Sequence, residues 1–176
     1  MEGATTDRPA ALDAATLAEA FQITARDNAD SVALRTKDDE FSMTWAEYAD
    51  KVRGVAAGLA GLGLERGGSM GIMLTNRPDF HWFDAAALHL GATPFSIYNT
   101  YAPEQVEYQL QDAAAHIVVT EKASSLRRRA QRSGFAWAVF WKASATVEAS
   151  RPVGLPVRLA AAMLKVPSLG GCRTPA

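Results

Sequence analysis

Three groups of residues in this chain have types and spacings that chemistry could use. The first is the glycine-rich run GLGLERGGSMG, Gly61 to Gly71. Glycine-rich backbone cradles phosphate when a helix N-terminus follows it. Here a helical pattern precedes the run and a strand pattern follows, so the order reads as a helix stop and a tight turn. Its spacing fits neither the dinucleotide fingerprint nor a phosphate loop ending in Gly-Lys-Ser/Thr. The second group is His81, Asp84 and His89. On a helix, positions eight apart stand about 80° apart and two turns along, and the chain has no HExxH pair. The group therefore reads as part of a half-buried amphipathic helix. The third group is Asn76, Tyr98, Asn99 and Tyr101, in TNRPD and YNTYAPEQ. Both stretches follow apolar strand patterns, and ligands of parallel sheets bind beyond the carboxyl ends of strands. The same residues also suit turns and helix caps. No serine stands in a nucleophile-elbow context. The single cysteine, Cys172, excludes a disulfide framework and a CxxC metal site. No residue is assigned a catalytic, cofactor-binding or metal-ligating role.

The elements that would position these groups can be read in order. Residues 12–28 predict a helix with Leu12, Leu17, Ala20 and Phe21 on its apolar stripe. SVALRT and FSMTW, separated by the acidic turn Lys37–Glu40, predict a hairpin. Thr44 with Glu47 three residues on is a capping box. After it Trp45, Tyr48, Val52, Val55, Leu59 and Leu62 recur at helical spacing. Gly54 and Gly58 sit one turn apart, which suggests close approach of another backbone. MGIML (70–74), PFSIY (94–98) and HIVVT (116–120) are short apolar strands with a helix in each gap, opened by Pro78 and Pro103. Right-handed crossovers make this βαβαβ order a parallel sheet with helices on its faces, so the fold class is α/β. The expected core is Val55, Leu59, Ile72, Leu74, Phe83, Leu90, Phe95, Ile97, Leu110, Val118 and Val119.

Charge divides the chain near residue 122. Residues 1–121 carry 8 Lys/Arg against 18 Asp/Glu, a balance of −10, while 122–176 carry 10 against the single acid Glu148, a balance of +9. Such asymmetry points to a basic segment with an acidic partner, or to a segment of different origin. LRRRAQR is a basic run, FAWAVFWKA an aromatic one, and 151–176 is rich in Pro, Gly, Ala and Arg. The start of the chain lacks a basic n-region and an apolar h-region, so a signal peptide is not expected. The longest apolar run, FAWAVFW, is too short to cross a bilayer. A cytoplasmic location is the expectation.

The order of segments resembles a family. FSMTWAEYADKVRGVAAGLAGLGLERGG, then GIMLTNRPDFHWFDAAALHLGATPFSIYNTYAPEQVEYQLQDAAAHIVVTE, are similar to the N-terminal region of long-chain fatty-acid–CoA ligases, members of the adenylate-forming, AMP-binding superfamily. The resemblance covers residues 12–122 as the N-terminal part of the AMP-binding domain, and 123–176 stand as a basic tail outside it. It implies an ATP-dependent reaction. A fatty acid attacks ATP to give an acyl-adenylate and pyrophosphate, and CoA thiol then displaces AMP. The family uses ATP, Mg²⁺ and CoA, gripped by a Ser-Gly-Thr-Thr-Gly-x-Pro-Lys loop, an aromatic-Gly-x-Thr-Glu segment, a ribose-binding Asp and a Lys in a mobile C-terminal domain. None of these motifs is in the 176 residues, so no family catalytic residue carries over to a position here.

The resemblance therefore implies fatty acid metabolism by ancestry and a catalytically incomplete fragment. The expected partner is a separate chain carrying the rest of the ligase, with fatty acid, ATP and CoA bound only in the complete enzyme. A change of reading frame near codon 122 would produce the patternless tail. The alternative is a binding or complementation module whose basic tail targets a surface. In that reading the arginines and Phe135, Trp137, Phe140 and Trp141 would lie on an anionic membrane. The basic run is too short to suggest a nucleic-acid partner.

Overall fold

The structure, a computed structural model, describes residues 8–120 and the strands at 137–142 and 146–150. The expectation of a poorly ordered tail falls, apart from those two strands, on residues outside the described ones.

A single 3₁₀ turn at Ala10–Asp13 leads to helix α1 (Leu17–Asp27). Helix α1 starts at 17 rather than 12, because Ala14 is extended and Thr16 caps the helix, accepting from the Glu19 N–H. The Ala15 N–H donates back to Glu19 Oε2 at 2.8 Å. Two members of the expected stripe are consequently wrong: Leu12 and Leu17 are 64% and 71% exposed. Only the later part of α1 packs, through Phe21 against Trp45, Tyr48 and His89, with Ala25 buried.

Strands β1 (Val32–Arg35) and β2 (Ser42–Thr44) form the expected antiparallel hairpin, turned at Asp39 with φ 54°. Helix α2 (Trp45–Gly61) follows directly, and its capping box is complete. The Glu47 N–H donates to Thr44 Oγ1 at 3.3 Å and the Thr44 N–H to Glu47 Oε2 at 2.8 Å. The predicted apolar face is the buried one: Tyr48, Val52, Val55 and Leu59 are interior. The close approach expected at Gly54 is absent, since a Cβ there would meet nothing within 4 Å. Gly58 is buried.

The main sheet contains β3 (Ser69–Met73), β4 (Thr93–Ser96), β5 (Ile117–Thr120), β6 (Trp137–Lys142) and β7 (Thr146–Ser150) in the order β4-β3-β5-β6-β7. β3 lies parallel between β4 and β5, β6 continues parallel beside β5, and β7 is antiparallel. Helices α3 (Pro78–His89) and α4 (Pro103–Asp112) make the first two crossovers. β6 and β7 lie where the sequence pattern suggested no element. Their segments hold Trp137, Val139, Phe140, Trp141, Thr146 and Val147, residue types enriched in strands. The clean alternation that would have flagged them is missing.

Side chains of a strand alternate between faces, and the sheet accordingly has two cores. Met70, Ile72, Ile117 and Val119 face α2 and α3, while Val118 faces α4 with Ile97, Val106 and Leu110. Nine of the eleven expected core residues are buried. Leu90 and Phe95 are only half-buried. Leu90 caps the C-terminus of α3 at the rim of an open groove. Phe95 belongs to β4, an edge strand among the described residues. Gly71 belongs to the α4 face, where a Cβ would stand 2.8 Å from Ile97 Cδ1 and 3.2 Å from Leu110 Cδ2. Its missing side chain lets α4 settle on β3.

We expect Gly71→Ala to destabilise by about 1–3 kcal/mol through overpacking, and Thr44→Ala by about 1 kcal/mol through loss of the cap. Urea unfolding followed by circular dichroism measures both. A neutral Gly71→Ala would show that α4 does not press on β3.

Candidate functional site

The direction in which the chain leaves each strand locates the crevice of this sheet. From β3 it passes through α3 to β4 on one side, and from β4 it returns through α4 past β3 to β5 on the other. Ligands of such sheets bind where this reversal occurs, here between the carboxyl ends of β3 and β5. The loop after β3, residues 74–77, borders that point, and the loop after β4 stands beside it. The loop after β5 begins at residue 121, outside the described residues.

Of the residues expected there, Asn76 and Asn99 are exposed. Tyr98 is 66% exposed and meets Tyr101 edge to face, with centroids 5.3 Å apart. Tyr101 is half-buried against the Ile97 and Leu110 core, and its N–H donates to the Tyr98 carbonyl across a turn. The fold thus brings the two tyrosines together. Their backbone role is that of a turn between β4 and α4.

A more constrained group stands next to them, and composition gave no warning of it. Pro78 is the first residue of α3, and Asp79, one position on, is buried. Its carboxylate takes the Arg77 Nε at 2.6 Å and sits where the positive end of the helix dipole favours an anion. Lys51 reaches over from α2, its Nζ 4.6 Å from the centre of the buried Trp82 ring. Burial pushes the Lys51 amine down, and the nearby Asp79 charge opposes that shift. An acid in the first turn behind a proline was the available signal. It announces a helix start, and only the fold adds Lys51 and Trp82.

The histidine group does not converge. His81 is exposed, and its carbonyl accepts from the Tyr48 hydroxyl at 3.0 Å. His89 turns the other way, with Nδ1 2.7 Å from the Ala85 carbonyl and its ring edge-on to Phe21. Asp84 is half-buried beside Tyr48, and burial raises its carboxyl although His81 pulls it down. Burial, with Asp84 adding to it, pushes the Tyr48 phenol up to about 12. Among the described residues no three His, Cys, Asp or Glu side chains group to hold a metal ion.

The glycine-rich loop lies at the amino ends of the strands. α2 ends into it at Leu62 and Gly63 (φ 91°), and the Gly67 N–H donates to the Gly91 carbonyl just beyond α3. Two helix C-termini converge there, a negative environment that repels phosphate, and the Arg66 side chain packs over Gly91. The glycine-rich loop therefore presents no helix N-terminus to a phosphate. A groove of about 610 Å³ between α1 and α2, floored by Phe21, Ala25, Ala46, Ala49 and Val52, is bordered by none of Asn76, Tyr98, Asn99 and Tyr101.

Parallel strands whose winding order reverses about β3, with helices on both faces, define a doubly wound type of α/β sheet. This chain belongs to the AMP-binding enzyme family, which matches residues 21–153. That span runs past residue 122, where the motif-by-motif resemblance stops. Uncharacterized protein Rv1549 of Mycobacterium tuberculosis is 46% identical over 129 residues, 73% of this chain and 71% of that protein. Long-chain-fatty-acid–CoA ligase ACSBG2 of Xenopus laevis is 32% identical over 68% of this chain, which corresponds to 16% of the ligase. Among solved structures, the N-terminal subdomain of Klebsiella oxytoca NpsA matches 62% of this chain and 28% of its own length, with a TM-score of 0.57 at 21% identity. Bacillus subtilis O-succinylbenzoate coenzyme A synthetase, solved with AMP, matches the same share at 19% identity and a TM-score of 0.57. These two likenesses establish the fold.

We expect Asp79→Ala to destabilise by about 2 kcal/mol, because it removes a buried hydrogen-bonded anion from a helix start; Arg77 can turn to water, which limits the loss. Thermal unfolding checks it. Asp84→Asn should have the opposite sign. Its folded-state pKa is raised, so the carboxylate opposes folding above the carboxyl range and is without effect below the unfolded value. The variant should be more stable than the parent at neutral pH, with the gain disappearing on acidification. A gain that grew on acidification would contradict the burial of Asp84.

Proposed function

We propose that these residues are the N-terminal scaffold of a fatty-acid–CoA ligase, and that adenylation chemistry is supplied by polypeptide outside the 176 residues. The observation that carries this reading is the family match over 21–153 combined with the architecture of the matched part. The matched residues build sheet and helices, and among the described residues no three His, Cys, Asp or Glu side chains group to hold a metal ion. The fatty-acid specificity rests on ACSBG2 of Xenopus laevis and on FadD15 of Mycobacterium bovis, both named long-chain-fatty-acid–CoA ligases, the latter 36% identical over 92 residues. Pyrophosphate departure needs pre-placed cations and donors, and the chain contains no Ser-Gly-Thr run to begin such a site.

A complementation module is favoured by one further observation. Leu17 precedes Phe21 and Ala25 by one and two turns of α1, so an exposed leucine stands on the helix side that carries two of the groove's lining residues. Apolar surface of this kind marks a contact with further polypeptide.

Labelled pyrophosphate exchange into ATP tests the reading. The chain alone should give no fatty-acid-dependent exchange, and adding the polypeptide that carries the Ser-Gly-Thr-Thr-Gly loop and C-terminal domain should restore it. Exchange by the chain alone above a no-protein control overturns the proposal. The isolated chain should also self-associate in size exclusion with light scattering. A monodisperse monomer melting above about 60 °C would show that no partner surface is left open.

A further inference from the structure

Helix α1 carries a pattern that matches itself when its direction is reversed. Glu19 and Arg26 are seven residues apart, so they stand within about 20° of one another on one flank of the helix, about 10 Å apart. On the other flank Leu17, Phe21 and Ala25 follow at intervals of four: a large, an aromatic and a small side chain. Phe21 turns toward α2 and α3, where it meets Trp45, Tyr48 and His89. Leu17, one turn earlier, is exposed.

A second α1 laid antiparallel along the first, about a two-fold axis near Gln22, satisfies both flanks at once. Such symmetry sets like flank against like flank with the order of residues reversed. Glu19 then comes level with Arg26 of the second copy, and Arg26 with its Glu19. Leu17 comes within one turn of the second copy's Ala25, so each large side chain faces a small one. The groove beside α1 makes room for the incoming helix, with about 610 Å³ over Ala25, Ala46 and Ala49. Neither charged group has to leave its present contact. Arg26 holds Asp27 through Nε, which leaves both Nη groups, and Glu19 takes the Ala15 N–H on Oε2, which leaves Oε1. A foreign helix would call for only one of the two charges. An acid and a base whose spacing reverses onto itself select a second copy of this chain.

We propose that the groove side of α1, from Leu17 to Arg26, is the surface through which two copies of this chain pair about a two-fold axis. Glu19 and Arg26 form two symmetric ion pairs on its rim, and Leu17 of each copy is buried on the other. The proposal names the surface behind the self-association expected above. It does not depend on the ligase reading, which pyrophosphate exchange tests separately.

Sedimentation equilibrium of the full chain is the test. The parent should fit a dimer, with twice the mass of one chain. Leu17→Ser alters a side chain that is 71% exposed within one copy, so it should leave folding intact and weaken pairing at least about tenfold. Tyr108→Ser, at a comparably exposed position on α4, should leave pairing within about twofold. Arg26→Glu and Glu19→Arg should each weaken pairing about tenfold by setting like charges together. Mixed in equal amounts, these two variants should pair with each other as tightly as the parent within about threefold, because each copy then supplies the charge that the other lacks. Where Glu19→Arg, which also loses the Ala15 cap, is unfolded by circular dichroism, Leu17→Ser against Tyr108→Ser decides alone. A parent that stays monomeric up to about 100 μM overturns the proposal. So do equal effects of Leu17→Ser and Tyr108→Ser, or folded charge variants that fail to pair when mixed.

Discussion

Strand β3 is the member on which the described structure depends. Its residues pair with β4 on one edge and β5 on the other, so every backbone group in its centre has a partner in the sheet. Met70 and Ile72 are almost completely enclosed on one face. On the other, Gly71 leaves room that the tips of Ile97 and Leu110 occupy. A strand enclosed on four sides tolerates neither a polar side chain nor an added carbon on that face. Both helical layers take their positions from it.

The helices differ in what they ask of their sequences. α2 shows solvent one side and the core the other, and its apolar residues follow the helical period. α3 is interior on most of its surface, burying Trp82, Phe83, Ala85, Ala86 and Ala87 together. It lies on β3 and β4 and is covered in turn by α2 and the end of α1. The buried Asp79 fits this environment because the helix N-terminus and the Arg77 side chain meet its charge. The buried carboxylate of α3 thus stands in its first turn, next to the strand ends where an α/β sheet places its ligands.

Membership of the AMP-binding family and the lack of a grouped metal-binding set among the described residues are compatible on physical grounds. Sheets of this class hold ligands with loops, and the strands and helices only fix where those loops begin. The order of segments that this chain shares with the AMP-binding family is an order of buried elements. Close packing constrains such elements, and they say little about the chemistry of the loops between them.

The sequence alone determined the parts governed by short-range rules. The capping box at Thr44 and Glu47, the proline starts of α3 and α4, the hairpin and the three apolar strands all depend on neighbours within a few residues. They appear in the structure where the pattern put them. The parallel sheet followed as well, because a helix between strands leaves few other connections. What only tertiary structure decided is which of those residues meet. Leu12 and Leu17 have the right type for a core and stand in solvent, since the helix begins later and the elements they would need are not opposite them. Leu90 and Phe95 fall at an end and an edge, positions that periodicity does not record. Lys51, Arg77, Asp79 and Trp82 come from two helices and a loop, and His81 and His89 diverge although they share a helix. Spacing along the chain fixes a residue's side of its own element; contact between elements depends on strand order and crossover hand, which act over the whole fold.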